Sequence, residues 1–448
     1  MSEIITETPS DTPKRTPTPC GEAGFSLVEV LVALAIATFV LLAVAIAVDV
    51  TSEVSRVEFE KTDLQQALRG AQRTVARSVR MAGRGGLPSI TVAGPVHRSP
   101  ALAVTNQVGA SQDIAPGFAG SPQIVEDTDV VTLRGVFDTP IYQVNSADSN
   151  TLVLAPDDAD PTTAETGRVV INNPGPAGVP QSLTPLCEAI QDGLAEALIL
   201  TSPLGPEVYA VVELDPGSSV APIDCSNPTQ VIAAFLVVNG TRTGAYRGLM
   251  IPNLAAGLPT ALRTVASVGL LEEHRYYLRD ETLPVLTRAR FFPNTNQPWG
   301  RNAAEQLASL TTGIADGLLD FQVALAFDSS LGGWFEQDAN NDGGDDLILE
   351  TANGEDDDWL FNAAADDETM APWSPPWNAA ANPQPRLYFL RLSFLGRTLQ
   401  FERNHISPAL TAIEDRDYSE PLAPSGASRA ERMFRRGLTT TVVEMRNL

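Results

Sequence analysis

Residues 25–48 form an apolar run broken only by Ser26, Glu29 and Thr38, with no lysine, arginine, glycine or proline. At 1.5 Å per residue a helix of this length reaches about 36 Å, enough to cross a bilayer with some tilt. The run exceeds the apolar core of an ordinary secretory signal, and no small-x-small cleavage site follows it. Beyond it the pattern changes without a break. Val54, Val57, Leu64, Leu68, Ala71, Val75, Val79 and Ala82 recur mostly at steps of three or four, with charged residues on the opposite face. That period predicts an amphipathic continuation of the same helix. Gly83, Gly85, Gly86 and Pro88 then supply a stop. One helix of about 60 residues is expected, about 90 Å long.

Past residue 86 the pattern turns to short β-rich runs and long loops, with little periodicity over residues 87–127. Runs rich in Val, Ile, Tyr, Phe and Thr, bounded by Pro, Gly and Asp, predict strands over residues 128–137, 151–155, 207–214, 229–238, 274–279, 284–290, 319–327, 386–396 and 438–446. Residues 303–317 read as a helix. Residues 87–127, 156–190 and 335–385 read as long inserted loops, and no internal repeat is visible. The expected class is α+β: a long N-terminal helix whose first half is transmembrane, packed on an antiparallel β-sheet domain with long inserted loops.

The chain has 448 residues and a formal charge of −25. Such an acidic body repels phosphates, which argues against nucleic-acid binding. Residues 1–24 are polar, rich in Thr and Pro, and carry Lys14 and Arg15. A basic pair ahead of the apolar run keeps the N-terminus in the cytoplasm and sends the remainder across the membrane. If the body is exported, Cys187 and Cys225 can meet in an oxidising space. Closing that loop is worth about 4 kcal/mol in the chain-entropy model. Without a bridge they are two unrelated buried thiols.

The residues Gly24-Phe25-Ser26-Leu27-Val28-Glu29, opening an apolar helix, resemble the signature of type IV prepilins and pseudopilins. The resemblance implies cleavage between Gly24 and Phe25 by a prepilin peptidase, and N-methylation of Phe25. It also implies that Glu29 of one subunit pairs with the new N-terminal ammonium of its neighbour. The pairing gives Glu29 a physical reason to be there. A lone carboxylate in lipid costs roughly 2.5–3.5 kcal/mol even on the gentler scales. Packed together, acid and amine satisfy each other, and losing one strands the other.

Later segments resemble the PilW-like minor pilins, with GspJ-type pseudopilins as relatives. They are Arg80-Met81-Ala82-Gly83, Thr128-Asp129-Val130-Val131-Thr132-Leu133, His274-Arg275-Tyr276-Tyr277-Leu278, Leu286-Thr287-Arg288, Gly317 to Val323, Arg435-Arg436-Gly437-Leu438 and Arg446-Asn447-Leu448. On this resemblance residues 1–24 are a cytoplasmic leader. Residues 25–86 are the long helix, with 25–48 for membrane and assembly and 49–86 amphipathic. Residues 87–448 are an exported β-rich domain with an acidic loop at 335–385. The implied role is a minor type IV pilin of the pilus initiation or tip complex. The alternatives are a minor pseudopilin of a type II secretion system or a calcium-dependent pilus-tip adhesin. The implied partners are other major and minor pilins, the prepilin peptidase and the inner-membrane assembly platform. The implied location is a single pass in the inner membrane with a periplasmic body, then the pilus or cell surface.

Asp338, Asn340 and Asp342 stand at alternate positions before Gly343, with Asp346 and Glu350 following. Hard oxygen donors at positions one, three and five, then glycine at six, are the first half of a calcium loop. The second half departs, because position twelve is Leu349 and Glu350 comes one residue late. Residues 302–385 carry 17 Asp or Glu and no Lys or Arg. Either a bound Ca2+ or simple solvation relieves that repulsion. Trp334, Trp359, Trp373 and Trp377 surround the loop, where aromatics among prolines either pin a loop to its domain or offer a binding surface.

Nothing in the sequence argues for an enzyme. His97, His274 and His405 lack zinc-like spacing to Cys or to each other. No G-x-S-x-G elbow or Walker A loop occurs.

Overall fold

The computed structural model describes residues 26–85, 87, 101–144, 165–194, 196–202, 205–215, 217–237, 265–293, 295–328, 359–361, 386–402 and 405–445. The expected strand at 151–155, the leader, Gly24, Phe25 and the acidic residues Asp338, Asn340, Asp342, Asp346 and Glu350 lie outside them, as do Trp334, Trp373 and Trp377. Two compact units divide the chain, Met1–Phe59 and Glu60–Leu448.

Helix α1 (Leu27–Met81) begins in the first unit and ends in the second. In the first unit its apolar side chains, Leu27 to Val50, are exposed. This is the one described helix long and apolar enough to cross a membrane. In the second unit burial begins at Leu64 and continues through Leu68, Ala71, Val75, Ala76 and Val79. The expected stripe therefore holds from Leu64 onward; Val54, one of its first positions, is exposed. The helix ends where Gly83 takes a φ of 74°. That left-handed turn suits glycine, and the Gly83 N–H donates to the Arg134 carbonyl at 2.9 Å, tying the helix end to the sheet.

All strand pairs among the described residues are antiparallel. The first sheet contains β1 (Leu102–Thr105), β2 (Val130–Gly135), β3 (Tyr142–Gln143), β4 (Glu165–Asn172), β5 (Ala197–Ser202), β6 (Gly205–Leu214), β7 (Gln230–Val237), β8 (Ser267–Arg279), β9 (Val285–Phe291) and β10 (Thr312–Asp316). Its spine is β8, 13 residues long. Residues 267–271 of β8 pair with β5, and 267–268 also with β3. From Glu272 onward the neighbours change to β2 and β9. Partners are thus exchanged on both edges within residues 268–273.

The second sheet runs β12 (Trp359–Leu360), β11 (Leu318–Asp328), β13 (Arg386–Phe401), β16 (Phe434–Glu444). A short ribbon, β14 (Ala412–Ile413) with β15 (Arg416–Asp417), accompanies it. Helices α2 (Thr184–Asp192), α3 (Ala303–Leu310) and α4 (Gly426–Arg432) complete the described elements, with one 3-10 turn at Pro176–Gly178. One apolar cluster joins the buried stripe of α1 to both sheets, through Tyr276, Leu278, Phe321, Leu392 and Phe394 among others. A second lies between α2 and the far strands, around Leu186, Cys187, Leu198, Val231 and Phe235.

Three expectations need correction. Residues 87–127 and 156–190 are not simply inserted loops: the first holds β1 and the second β4 and most of α2. The helix expected over 303–317 stops at Leu310, and Thr312–Asp316 pairs with β9 instead. Leu307, Leu310 and Ile314 keep helical spacing, but the β-branched pair Thr311-Thr312 followed by Gly313 favours the strand. The acidic segment 335–385 includes β12, which pairs with β11.

Candidate functional site

The N-terminus of α1 is built by two side chains. Ser26 donates its backbone N–H to Glu29 Oε2 at 3.0 Å, and the Glu29 N–H returns a bond to Ser26 Oγ at 3.2 Å. This is a reciprocal capping box of the S-x-x-E kind at the start of an apolar helix. The positive end of the helix dipole also favours the carboxylate there. Glu29 is thus fixed at the first turn of a helix whose next 19 residues, Val30 to Val48, present only apolar groups and Thr38. The expected processing residues Gly24 and Phe25 lie just outside the described residues.

Cys187 of α2 and Cys225 form a disulfide, with Cα atoms 5.6 Å apart and a separation of 38 positions in sequence. The bridge fastens α2 to the segment before β7. Gln191 adds two hydrogen bonds across the same gap, to the carbonyls of Pro222 (2.5 Å) and Ile223 (3.1 Å).

A first buried polar centre joins the two sheets. Asp129, fully buried before β2, accepts the N–H groups of Gln107 at 2.9 Å and Val323 at 2.7 Å. Its own N–H donates to the Phe321 carbonyl at 3.0 Å. Burial pushes its carboxyl well above the ordinary carboxylate range, despite those two donors. Asp320 lies nearby, bonded by Arg416 at 3.0 Å, by the Tyr418 hydroxyl and by Gln322. Its carboxyl is also raised by burial, with Arg416 pulling the other way.

A second centre sits where β8 exchanges partners. Glu272 and His274, two apart on one strand, share a face. Glu272 Oε2 accepts the N–H groups of Phe137 (2.9 Å) and Asp138 (2.8 Å), where the chain leaves β2. Its Oε1 accepts from Arg290 at 2.9 Å. Arg290 stacks over Trp299, whose indole N–H reaches Glu196 at 3.3 Å. His274 is 1% exposed and stacks on Phe137, ring centres 4.6 Å apart. Burial first, then Arg288 and Arg290, hold its pKa well below the ordinary histidine value. On the opposite face Glu273 bonds Arg134 at 2.6 Å and Arg275 at 2.8 Å. Sequence reading missed this centre. Its members are not Cys or His at zinc-like spacing: Glu272 is two residues away from His274 on the strand and Asp138 comes from another strand end.

Residues 20–45 match the family model described as the prokaryotic N-terminal methylation motif. The match covers Gly24, Phe25 and Glu29 together with most of the apolar run. The chain therefore carries a prepilin-like signal of the type IV pilin and pseudopilin kind, and its apolar N-terminal helix fits membrane anchoring. No curated protein and no solved structure matched the chain.

Proposed function

We propose that the chain is a minor type IV pilin of the PilW-like branch, a structural subunit of the pilus initiation or tip complex. The observation that carries the reading is the methylation motif in register with Glu29, which caps a helix of 55 residues. A prepilin peptidase would cleave between Gly24 and Phe25 and methylate the new amine. Glu29 would then pair with the amine of an adjacent subunit among other major and minor pilins on the inner-membrane platform. Before assembly the protein would span the inner membrane once, with its body in the periplasm. The large second unit supports a tip position, because a domain of this bulk is hard to repeat along a tightly packed fibre.

The test is deletion of the gene and complementation with wild type or Glu29→Ala. Loss of piliation, restored by wild type and not by the variant, supports the reading. Normal pili with a protein-secretion defect would instead make the chain a type II secretion pseudopilin, which uses the same signal. Normal pili with normal secretion would remove both.

A further inference from the structure

The polar centre on β8 has the donors of a metal site. One ligand atom each from Asp138, Glu272 and His274 lies within 4.8 Å of the others. The independent observation is His274 itself. The ring is 1% exposed, yet neither Nδ1 nor Nε2 has a hydrogen-bond partner among the described residues. A buried imidazole left unbonded at both nitrogens is costly, since polar groups taken out of water need a partner. An ion held between the ring and the two carboxylates would supply one.

We propose that Asp138, Glu272 and His274 bind a single zinc-class divalent cation. One imidazole with two carboxylates is a borderline donor set that suits Zn2+ better than the hard, all-oxygen sets of calcium. Three protein ligands leave a fourth position for water. Glu272 is already oriented by the Phe137 and Asp138 N–H groups and by Arg290, the kind of outer support that fixes a ligating carboxylate. His274 is oriented by its stack on Phe137. Asp138 is exposed, so the ion enters from solvent at that edge. Once bound, the ion would clamp the chain leaving β2 onto the middle of β8, close to where Gly83 ties the end of α1 to β2. This site is separate from the acidic loop, and its existence does not depend on the pilin reading.

The test uses the full-length protein in detergent, stripped with EDTA and dialysed. Zinc content is measured after equilibration with Zn2+ alone, and melting is followed with and without the metal. The expected result is one zinc per chain and a raised melting temperature. Asp138→Asn, at an exposed position, should keep the fold. It should weaken zinc binding by more than the roughly 10–100-fold that loss of an outer-shell partner costs. His274→Gln should abolish binding, with folding checked by its melting transition in EDTA; if it does not fold, Asp138→Asn decides. Asp338→Ala with Asp342→Ala should leave zinc binding unchanged. No retained zinc in wild type would overturn the site. So would equal stoichiometry and affinity in wild type and Asp138→Asn, or binding lost only in the acidic-loop variant.

Discussion

Gly396 of β13 stands opposite Gly437 of β16, and the pair forms the floor on which α1 rests. A Cβ at Gly396 would fall 2.7 Å from Leu64 Cδ1, and one at Gly437 would fall 3.1 Å from Leu68 Cδ1. Helix and sheet approach this closely because neither strand carries a side chain there. Gly396→Ala should destabilise the second unit by about 1–3 kcal/mol, the usual cost of overpacking. Gly437→Ala should cost less, because its contact is looser. Urea unfolding of the two variants checks the order; equal midpoints to wild type would remove the close-approach argument.

The Cys187–Cys225 bridge closes a loop across α2 and β5 to β6. Replacing both cysteines by serine should lower stability by about 2–5 kcal/mol, the typical cost of losing such a bridge. Reductant should bring wild type down to the variant and leave the variant unmoved. A wild-type unfolding curve indifferent to reductant would show that the bridge contributes nothing.

Asp129 gives a pH signature. Its folded pKa is raised well above the ordinary 3.8, so between those two values the unfolded chain gives up its proton more readily. Stability from this group is thus greatest below pH 3.8 and falls as pH rises toward the folded value. Asp129→Asn has no such titration. The advantage of wild type over Asp129→Asn should shrink from pH 4 to pH 7, read from paired melts. A gap that widens with pH would reverse the sign and contradict a burial-dominated carboxyl.

The acidic loop makes a separate claim. If Asp338, Asn340, Asp342, Asp346 and Glu350 hold Ca2+, calcium should raise the melting temperature of the full-length protein, and Asp338→Ala with Asp342→Ala should abolish that rise. An unchanged melt with and without a calcium-selective chelator would leave those residues solvated.

Much of the fold was legible because a helical period marks the N-terminal helix and β-rich composition marks the strands. The apolar run, the stripe from Leu64 to Ala82 and the glycine stop mark α1 to within a few residues, and β-rich runs bounded by Pro, Gly and Asp mark most long strands. What escaped was decided by partners distant in sequence. β8 begins seven residues before the expected start at His274, since Glu272-Glu273 reads as a break. In the fold Arg290 and Arg134 neutralise those two carboxylates, and the strand runs through them. β1 and β4 were hidden in segments that resembled loops, since a four-residue strand carries too little pattern and Gly167 and Arg168 interrupt the other. At the N-terminus Glu29 was read only for pairing with a neighbour, whereas the fold also uses it with Ser26 to cap α1. The Glu272, His274 and Asp138 centre was not legible, because only pairing of β2 with β8 brings position 138 beside position 272.

The pilin reading rests on cleavage that frees an amine for Glu29 to pair with. The most direct measurement is the intact mass and N-terminal sequence of the protein recovered from membranes of its native host. The reading predicts a chain that starts at Phe25 and carries one methyl group on its amine. A recovered chain that keeps residues 1–24, in cells with an active prepilin peptidase, would contradict it.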